Sequence, residues 1–469
     1  MHEYARYDAV GIHELIGSGE VTAGEVEAAA RQALDQVNPS VNGLTVPVFP
    51  AALDHASVGP LAGVPFLIKD HGPVAAGVPF FLGSRAIPGV VPQRDTELMA
   101  RFRAAGLVTL GLTTVPELCL SFSTESVKHG PTRNPWDLSR GAGGSSGGAA
   151  ALVAAGAVPV AHASDGSGSI RIPASCCGLV GLKPSRGRIT PGPDAGEAML
   201  GMAYEFALTR TVRDTAHLLD AVHGPGIGDR YTAPPPRRDY VSELGTDPGR
   251  LRVAVTTKAW SGVAVDDQVA AATLQVARVL EDLGHLVSES SPVVDWDSVM
   301  RSQVAEGIAI TSKLLLAPRQ PDPAKLEAVS RRFVELTREF SALDLLAGLD
   351  AQNLLTRSVS AYLTEYDLLV TPTLGQLPAT HGTLDYHDPA HTVATWLESL
   401  IAYGPFTTLF NASGHPAISL PLGHSAEGLP IGVQFVAPYG REDVLIQIAS
   451  QLEQAMPWKE RTPPVFAGS

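Results

Sequence analysis

GGSSGGAAALVAAGAVPVAHASDGSGSIRIPAS, from Gly143 to Ser175, is the part of the chain that is most informative about the fold. Its first Gly/Ser loop leads into an alanine-rich segment that predicts a helix ending near Gly156. Residues 158–163 predict a buried strand, and a second Gly/Ser loop follows before a second predicted helix that runs through Cys177. Loop, helix and strand therefore alternate, which is typical of an α/β fold with helices on both faces of a sheet.

The same alternation extends to both sides of this stretch. Thr22 and Glu25 form a capping box that predicts the start of a helix reaching about Val37. Residues 63–68 predict a buried strand with Lys69 at its end. Further patterns predict helices over 95–105, 265–283, 325–340 and 442–456, and strands over 107–112, 179–182, 251–255 and 368–370.

These elements predict one α/β domain over residues 1–469, with a central mixed twisted sheet. We expect its core at about 60–215 together with C-terminal strands at 406–436. The more helical residues of about 215–400 are expected to cover one side of a substrate cleft.

The composition excludes several classes of function. The chain has 469 residues, a formal net charge of -14 and 45% hydrophobic residues, which is typical of a folded globular protein. Because phosphate binding needs clustered Lys and Arg side chains, we expect no nucleic-acid partner. The most apolar stretch, 149–163, is too short to span a bilayer, so we expect no membrane association. The three cysteines show neither a disulfide framework nor CxxC spacing, which favours a reducing cytoplasm.

The second Gly/Ser loop supplies two requirements of amide hydrolysis. Gly166, Ser167 and Gly168 can point successive N–H groups at one spot, where they would hold an oxyanion. Ser169 would present its hydroxyl beside that spot, although a serine there is also typical of a helix N-cap. A serine needs a base to become a good nucleophile, and Lys69 follows an apolar strand, where burial would keep its amine neutral.

The first Gly/Ser loop leaves the roles of its two serines open. Either Ser145 or Ser146 would bridge Lys69 and Ser169. Residues 144–148 also fit the GxSxG elbow of α/β-hydrolases, in which Ser146 would be the nucleophile. Such an elbow directly follows a strand, whereas a Pro/Trp turn is expected before this one, so the elbow is disfavoured.

The run at 143–175 resembles the amidase signature, and further matches cover nearly the whole chain in the family's order. These matches are GVPFLIKD (63–70), GLKPSRGRIT (181–190), FNASGHPAISLPLG (410–423) and GLPIGVQFV (428–436). The resemblance implies an amidase signature fold and an enzyme that hydrolyses carbon–nitrogen bonds through an acyl-enzyme. It also implies that no metal or organic cofactor takes part.

In that family a lysine, a serine after a cis peptide bond and a nucleophilic serine form the catalytic triad. The resemblance assigns these roles to Lys69, Ser145 and Ser169. It implies two further groups: a backbone oxyanion hole (Gly166, Ser167, Gly168, Ser169) and polar residues that brace the loops (Ser146, Asp165, Arg171). Apart from the resemblance, we expect a wall of the substrate pocket at Leu118, Cys119, Leu120 and Ser121.

Two positions depart from the family pattern. Ser167 replaces a glycine that is usual before the nucleophile, so its φ must suit a side chain. Ile172 stands where the glutamyl-tRNA amidotransferase subunits of the family usually have Gln, which disfavours a tRNA-linked role. Within the family, stretches such as TRNPWDLSR (132–140) and PYGREDVL (438–445) are similar to bacterial nylon-oligomer hydrolases, which act on 6-aminohexanoate cyclic dimers.

The substrate is expected to be a small amide-type molecule: a cyclic or linear amide, an anilide, a carbamate or an ester. Two alternatives stay open, namely an amidotransferase-type subunit that uses ammonia from glutamine and a non-catalytic binding protein on the same fold. The chain is expected to be a monomer or a homodimer. His387 and His391 have metal-ligand spacing, but a polar surface loop is favoured there.

Overall fold

Strands from the first, middle and last thirds of the chain join one large mixed sheet. The structure, a computed structural model, describes residues 3–72 and 74–468. In that part of the chain the strands are β1 (Pro65–Lys69), β2 (Val108–Thr113), β3 (Glu125–Ser126), β4 (Gly130–Pro131), β5 (Arg133–Asn134), β6 (Asp137–Gly141), β7 (Val160–Asp165), β8 (Val180–Lys183), β9 (Tyr204–Thr209), β10 (Arg252–Val255), β11 (Leu286–Glu289), β12 (Leu368–Pro372), β13 (Ala417–His424) and β14 (Pro430–Val436).

The sheet has ten strands in the order β11-β10-β12-β14-β13-β8-β9-β7-β1-β2. Pairs near its two edges are parallel, and the central strands pair antiparallel. β3 with β4 and β5 with β6 form two small separate sheets. The predicted mixed α/β sheet is confirmed.

Helices flank this sheet. In the described residues they are α1 (Ala9–Gly17), α2 (Ala23–Val41), α3 (Glu97–Ala104), α4 (Gly147–Ala154), α5 (Arg171–Cys177), α6 (Val212–Val222), α7 (Asp267–Asp282), α8 (Trp296–Leu316), α9 (Ala328–Glu339), α10 (Ala342–Tyr362), α11 (Val393–Tyr403), α12 (Thr408–Ser413) and α13 (Glu442–Ala455). Between residues 3 and 72 and between 74 and 468, no helix combines the length and apolarity needed to cross a membrane.

The predicted capping box is present at the start of α2. The hydroxyl of Thr22 accepts from the backbone N–H of Glu25, and the Glu25 carboxylate accepts from the N–H of Thr22. This exchange satisfies two donors that a helix start otherwise leaves unpaired.

The register of β1 and β7 positions the chemistry. These strands are parallel neighbours, with Phe66 opposite Val160, and every residue in both is buried. Burial on both faces explains why they contain apolar runs. Because parallel strands end at the same edge of a sheet, Lys69 at the end of β1 lies close to the end of β7, where the second Gly/Ser loop begins.

Three local expectations need correction. The helix expected near Ser169 begins at Arg171, and its N-cap is Ile170, which has no side-chain cap bond. The tail at 406–436 contains α12 as well as strands. Within residues 215–400, β10 and β12 match the strands predicted at 251–255 and 368–370, whereas β11 was not predicted because its residues are mostly exposed.

Candidate active site

Lys69 has no exposed surface, and its amine is surrounded by hydroxyl groups. Its Nζ lies 2.8 Å from Ser145 Oγ, 2.8 Å from Ser164 Oγ and 3.2 Å from the Ser164 carbonyl oxygen. Burial lowers the pKa of Lys69, because desolvation outweighs the opposing effect of nearby acidic groups. The structure thus brings the predicted base and the predicted relay serine into contact.

A buried histidine–glutamate network holds the backbone beside Lys69. The N–H of Lys69 donates to His162 Nδ1 at 3.3 Å, so Nε2 of that ring carries the proton given to Glu205 at 2.8 Å. His71 Nε2 contacts the other Glu205 oxygen at 2.6 Å. The sequence analysis did not predict this network. A signal was present in the sequence, because His162 is a polar residue within the predicted buried strand 158–163.

The first Gly/Ser loop packs tightly against the end of β2. The Gly144–Ser145 peptide bond is cis, as the resemblance predicted. A Cβ on Gly148 would lie 2.4 Å from the backbone nitrogen of Thr114, so only glycine fits this approach. Close packing here brings Ser145 toward the sheet edge that carries Lys69.

Ser146 is fully buried, and its hydroxyl donates to the Ser164 carbonyl at 3.3 Å. This hydroxyl links the two loops and faces the interior, which argues against Ser146 as a nucleophile. The Pro/Trp turn at 135–136 is followed by β6, which ends at Gly141, so a strand does come shortly before the GxSxG pattern, contrary to expectation. β6 nevertheless lies outside the large sheet.

Asp165 and Arg171 brace the second loop from the side of the sheet. Both side chains are fully buried, and Arg171 Nη2 lies 2.9 Å from Asp165 Oδ1. The Asp165 carboxylate also accepts from the backbone N–H groups of Gly168 (2.7 Å) and Ile170 (3.2 Å). Burial raises the pKa of Asp165, but Arg171 and the other donors outweigh it and lower that pKa to about 2.

Arg171 also ties this loop to the C-terminal third of the chain. Its guanidinium donates to Gln434 Oε1 at 2.7 Å, to Asn411 Oδ1 at 2.5 Å and to the carbonyl of Thr407 at 2.9 Å. Asn411 in turn donates to the carbonyl of Asp165 at 2.9 Å. The motifs at 410–423 and 428–436 contain Asn411 and Gln434, but the sequence analysis assigned these two residues no role.

The backbone N–H groups of the second loop are used unequally. That of Gly168 donates to Asp165, whereas those of Gly166, Ser167 and Ser169 have no protein acceptor within the described residues. Gly168 has φ of 136°, and a Cβ there would lie 2.5 Å from Thr407 Oγ1. Ser167 is not among the described residues with positive φ, so its backbone accommodates the side chain without strain.

A cavity of about 160 Å³ opens onto this loop. Ser145 and Ser169 both line it, and no hydrogen bond joins their hydroxyls in the part of the chain that the structure describes. All four residues of the predicted pocket wall, 118–121, line it as well. The opposite wall comes from helices α8, α9 and α11, with Gln303, Glu306, Phe333, Trp396 and Leu397 among its residues.

Two other places in the molecule are candidates for comparison with this site. A larger cavity of about 610 Å³ lies where the N- and C-terminal segments meet, with charged residues such as Asp8 and Arg213 in its wall. No group of three or more His, Cys, Asp or Glu suited to a metal ion occurs in residues 3–72 and 74–468. His391 contacts the hydroxyl of Thr395 at 3.3 Å on an exposed loop.

Comparisons with known proteins identify the family of this chain. The amidase family model matches residues 26–446. The chain is 39% identical to 6-aminohexanoate-cyclic-dimer hydrolase of Paenarthrobacter ureafaciens, over 98% of this chain and 97% of that protein. A solved structure of 6-aminohexanoate cyclic dimer hydrolase complexed with substrate is similar with a TM-score of 0.90 and 37% identity, covering 98% of this chain and 99% of that one.

A bacterial aryl acylamidase of the amidase signature enzymes is similar at a TM-score of 0.84 and 27% identity, over 97% of both chains. The family model, at residues 26–446, covers the segments that contain Lys69, Ser145 and Ser169, and the relatives match nearly the whole chain. The chain therefore belongs to the amidase family of enzymes, the family that its signature motifs predicted.

Proposed function

We propose that this enzyme hydrolyses an amide bond through an acyl-enzyme on Ser169, with Lys69 as the base and Ser145 as the proton relay. The observation that carries this proposal is the buried contact between Lys69 Nζ and Ser145 Oγ at 2.8 Å, beside a cavity that Ser169 also lines. A desolvated amine with a lowered pKa accepts a proton at a pH where an exposed lysine cannot.

Ser164 sets the direction of the proton path. A neutral amine has two N–H groups and one lone pair, and the Ser164 carbonyl can only accept. If the two N–H groups donate to the carbonyl and the hydroxyl of Ser164, the lone pair points to Ser145. Ser145 then passes its proton to Lys69 and takes one from Ser169, once the two hydroxyls approach to hydrogen-bonding distance.

Ser169 would attack the substrate carbonyl while N–H groups of the second loop bind the oxyanion. Because the N–H of Gly168 already donates to Asp165, we assign this task chiefly to Gly166, Ser167 and Ser169. Loss of one such donor typically costs about 3 kcal/mol of transition-state stabilisation. Lys69 would return its proton through Ser145 to the leaving amine, and the same base would then activate the water that releases the acid.

The substrate that fits this cavity is an uncharged amide of small size. Leu118, Leu120, Phe333 and Leu397 give the cavity apolar walls, which favour hydrocarbon segments beside the scissile bond. A cyclic amide of the 6-aminohexanoate type has this character, and the two relatives named for that reaction support it as the first substrate to test.

A fluorophosphonate probe tests the proposed nucleophile. We expect the purified full chain to gain one phosphonyl group on Ser169, detected by peptide mass spectrometry. Ser169→Ala should abolish labelling and lower hydrolysis by on the order of 10⁴-fold or more. Ser175→Ala is the matched control, because Ser175 is equally buried on the adjacent helix α5, where its hydroxyl accepts from Gly432.

A wild-type chain that is never labelled, or a Ser169→Ala variant that is labelled elsewhere with unchanged hydrolysis, would contradict the proposal. A screen across cyclic amides, linear amides, anilides, carbamates and esters then identifies the substrate. Activity confined to glutamine and asparagine would favour an amidotransferase-type subunit, and binding without turnover would favour a binding protein.

The pH dependence tests the base. Lys69 must be neutral to accept a proton, so kcat/KM should fall as the pH drops below its lowered pKa. Lys69→Arg introduces a guanidinium that stays protonated at any accessible pH, so its residual activity should lack this acidic limb. An unchanged acidic limb in Lys69→Arg would assign that limb to another group.

A further inference from the structure

Ser167, the departure from the family's usual glycine, forms a polar cluster with two residues of α8. Its Oγ lies 2.8 Å from Gln303 Oε1 and 2.8 Å from Glu306 Oε2. Gln303 and Glu306 are both buried, and both line the cavity that contains Ser169. The Glu306 carboxyl also lies against the loop backbone, since a Cβ on Gly166 would come within 2.4 Å of Glu306 Oε1.

Counting protons in this Ser167 cluster constrains its charge. The Ser167 hydroxyl has one proton, so it can donate to only one of its two oxygen neighbours. If it donates to Gln303 Oε1, the contact with Glu306 requires a proton on the Glu306 carboxyl. In the alternative arrangement the Gln303 amide is flipped, which exchanges its nitrogen and oxygen. Gln303 then donates to Ser167, and Ser167 donates to an ionised Glu306.

The surroundings of Glu306 favour the protonated form. Within residues 3–72 and 74–468, no Lys or Arg forms an ion pair with Glu306. The charged group facing it across the loop is Asp165, which is itself an acid, and burial raises the pKa of Glu306 to about 8. The basic side chains that line the cavity are Lys313, on the exposed end of α8, and His71, whose ring contacts Glu205.

The other elements packed against α8 bring no further charged side chain to the cavity in the part of the chain that the structure describes. α10 also packs against α8, but its Asp344, Asp350 and Arg357 are exposed, and α12 contains no charged residue. α9 and α11 contribute Phe333, Trp396 and Leu397 to the cavity, and the 3-10 helix Ala198–Gly201 contributes Met199. An ionised Glu306 would therefore face the oxyanion site with no compensating cation, and like charges at that site would oppose the transition state.

We propose that Glu306 is a positioning residue that acts as a neutral acid, donating to Ser167 to hold the oxyanion-binding loop, and that its ionisation disables the site. This inference rests on the proposed function of the loop. The proposed contact explains how Ser167 is accommodated, because Glu306 binds its hydroxyl on the side of helices α8, α9 and α11, here called the cover helices. It also predicts an alkaline limit to activity that the catalytic triad does not require.

The experiment measures the rate of fluorophosphonate labelling against pH in the full-length chain. In the wild type we expect the rate to fall above pH of about 8, as Glu306 ionises. Glu306→Ala should lower the rate roughly tenfold at neutral pH, which is less than the ~10²-fold or greater loss for a missing oxyanion donor. Glu306→Gln keeps a neutral donor, so it should recover most of that loss and remove the alkaline fall.

A double-mutant cycle separates this role from general packing. Ser167→Ala removes the hydroxyl that Glu306 contacts, so adding Glu306→Ala should change the labelling rate by less than about twofold. Effects that multiply in the double variant would overturn the proposal. An alkaline fall that persists unchanged in Glu306→Gln would overturn it too.

A second readout does not depend on turnover. The infrared difference spectrum of wild type against Glu306→Gln at neutral pH should contain the carbonyl band of a protonated carboxylic acid, and a carboxylate band in its place would establish the ionised arrangement. A chain that is unlabelled at every pH would instead reject the proposed function, and the infrared result would still report on Glu306.

Discussion

Two acidic residues hold the loop 166–169 from its two sides, one in the ionised form and the other in the protonated form. On the sheet side, Asp165 pairs with Arg171, which keeps its pKa near 2 despite complete burial. On the side of the cover helices, Glu306 has no cationic partner within the described residues, and burial raises its pKa to about 8. One loop thus lies between a paired anion and an acid that is neutral at pH 7.

The loop is therefore held more rigidly on the sheet side than on the side of Glu306. A buried ion pair whose lone pairs are satisfied on all sides fixes one geometry, since breaking it leaves an uncompensated charge. A neutral acid with two hydrogen bonds costs less to replace. We therefore expect substitutions on the sheet side to affect folding and catalysis together, and those on the cover side to affect rate or selectivity.

The largest effect is expected for Arg171→Met, which leaves Asp165 buried without its partner. The free energy of unfolding should decrease by about 3–5 kcal/mol, measured by urea denaturation. Arg188→Met breaks another buried pair, Arg188 with Glu442 at 3.0 Å, away from the cavity. The control should lose similar stability but keep the labelling rate of its folded fraction, and equal labelling rates in both variants would refute the contrast.

Gly168→Ala should produce the next largest effect. At φ of 136° the added Cβ would lie 2.5 Å from Thr407 Oγ1, so the oxyanion-binding backbone must shift. We expect the labelling rate to fall by roughly 10²-fold, the cost of one misplaced donor. Gly382 also has positive φ but open space around it, so Gly382→Ala isolates the backbone cost. Equal labelling rates in Gly168→Ala and Gly382→Ala would mean that the loop tolerates displacement of its backbone.

The smallest effect is expected on the cover side, for Leu397→Ala. Removing this side chain from the cavity wall should shift the kcat/KM ratio of bulky over small acyl anilides by roughly tenfold, as changes of a few methylenes in apolar pockets do. Leu363→Ala is the control, because Leu363 is buried to a similar extent in a separate cluster. If both variants show the wild-type ratio of kcat/KM values, Leu397 does not limit the size of the acyl group that the cavity accepts.

The same contrast explains what the sequence could predict. Lys69 was identifiable because an apolar strand ends in a charged residue, and the capping box at Thr22 because its pattern is local. Both signals lie within a few neighbouring positions. The order of strands and the presence of α12 depend on pairings between distant segments, and composition alone does not encode them.

The cover side was least predictable for a physical reason. Gln303 and Glu306 lie on a long helix whose apolar pattern is irregular, and a glutamate there reads as a solvated surface residue. Its burial results from packing of α8 against α9 and α10 and from the loop beneath it, which no local pattern reveals. The same holds for Glu205, whose two histidine partners are separated along the chain.

The long-range anchoring of Arg171 has a consequence for biosynthesis. Its partners Asn411 and Gln434 are synthesised 240 and 263 residues after it. A nascent chain on the ribosome therefore contains Ser169 long before Arg171 can form the hydrogen bonds to Asn411 and Gln434 that fix the loop. The nucleophile would stay inert through most of translation, and hydrolytic competence would arise only when the last strands emerge from the exit tunnel.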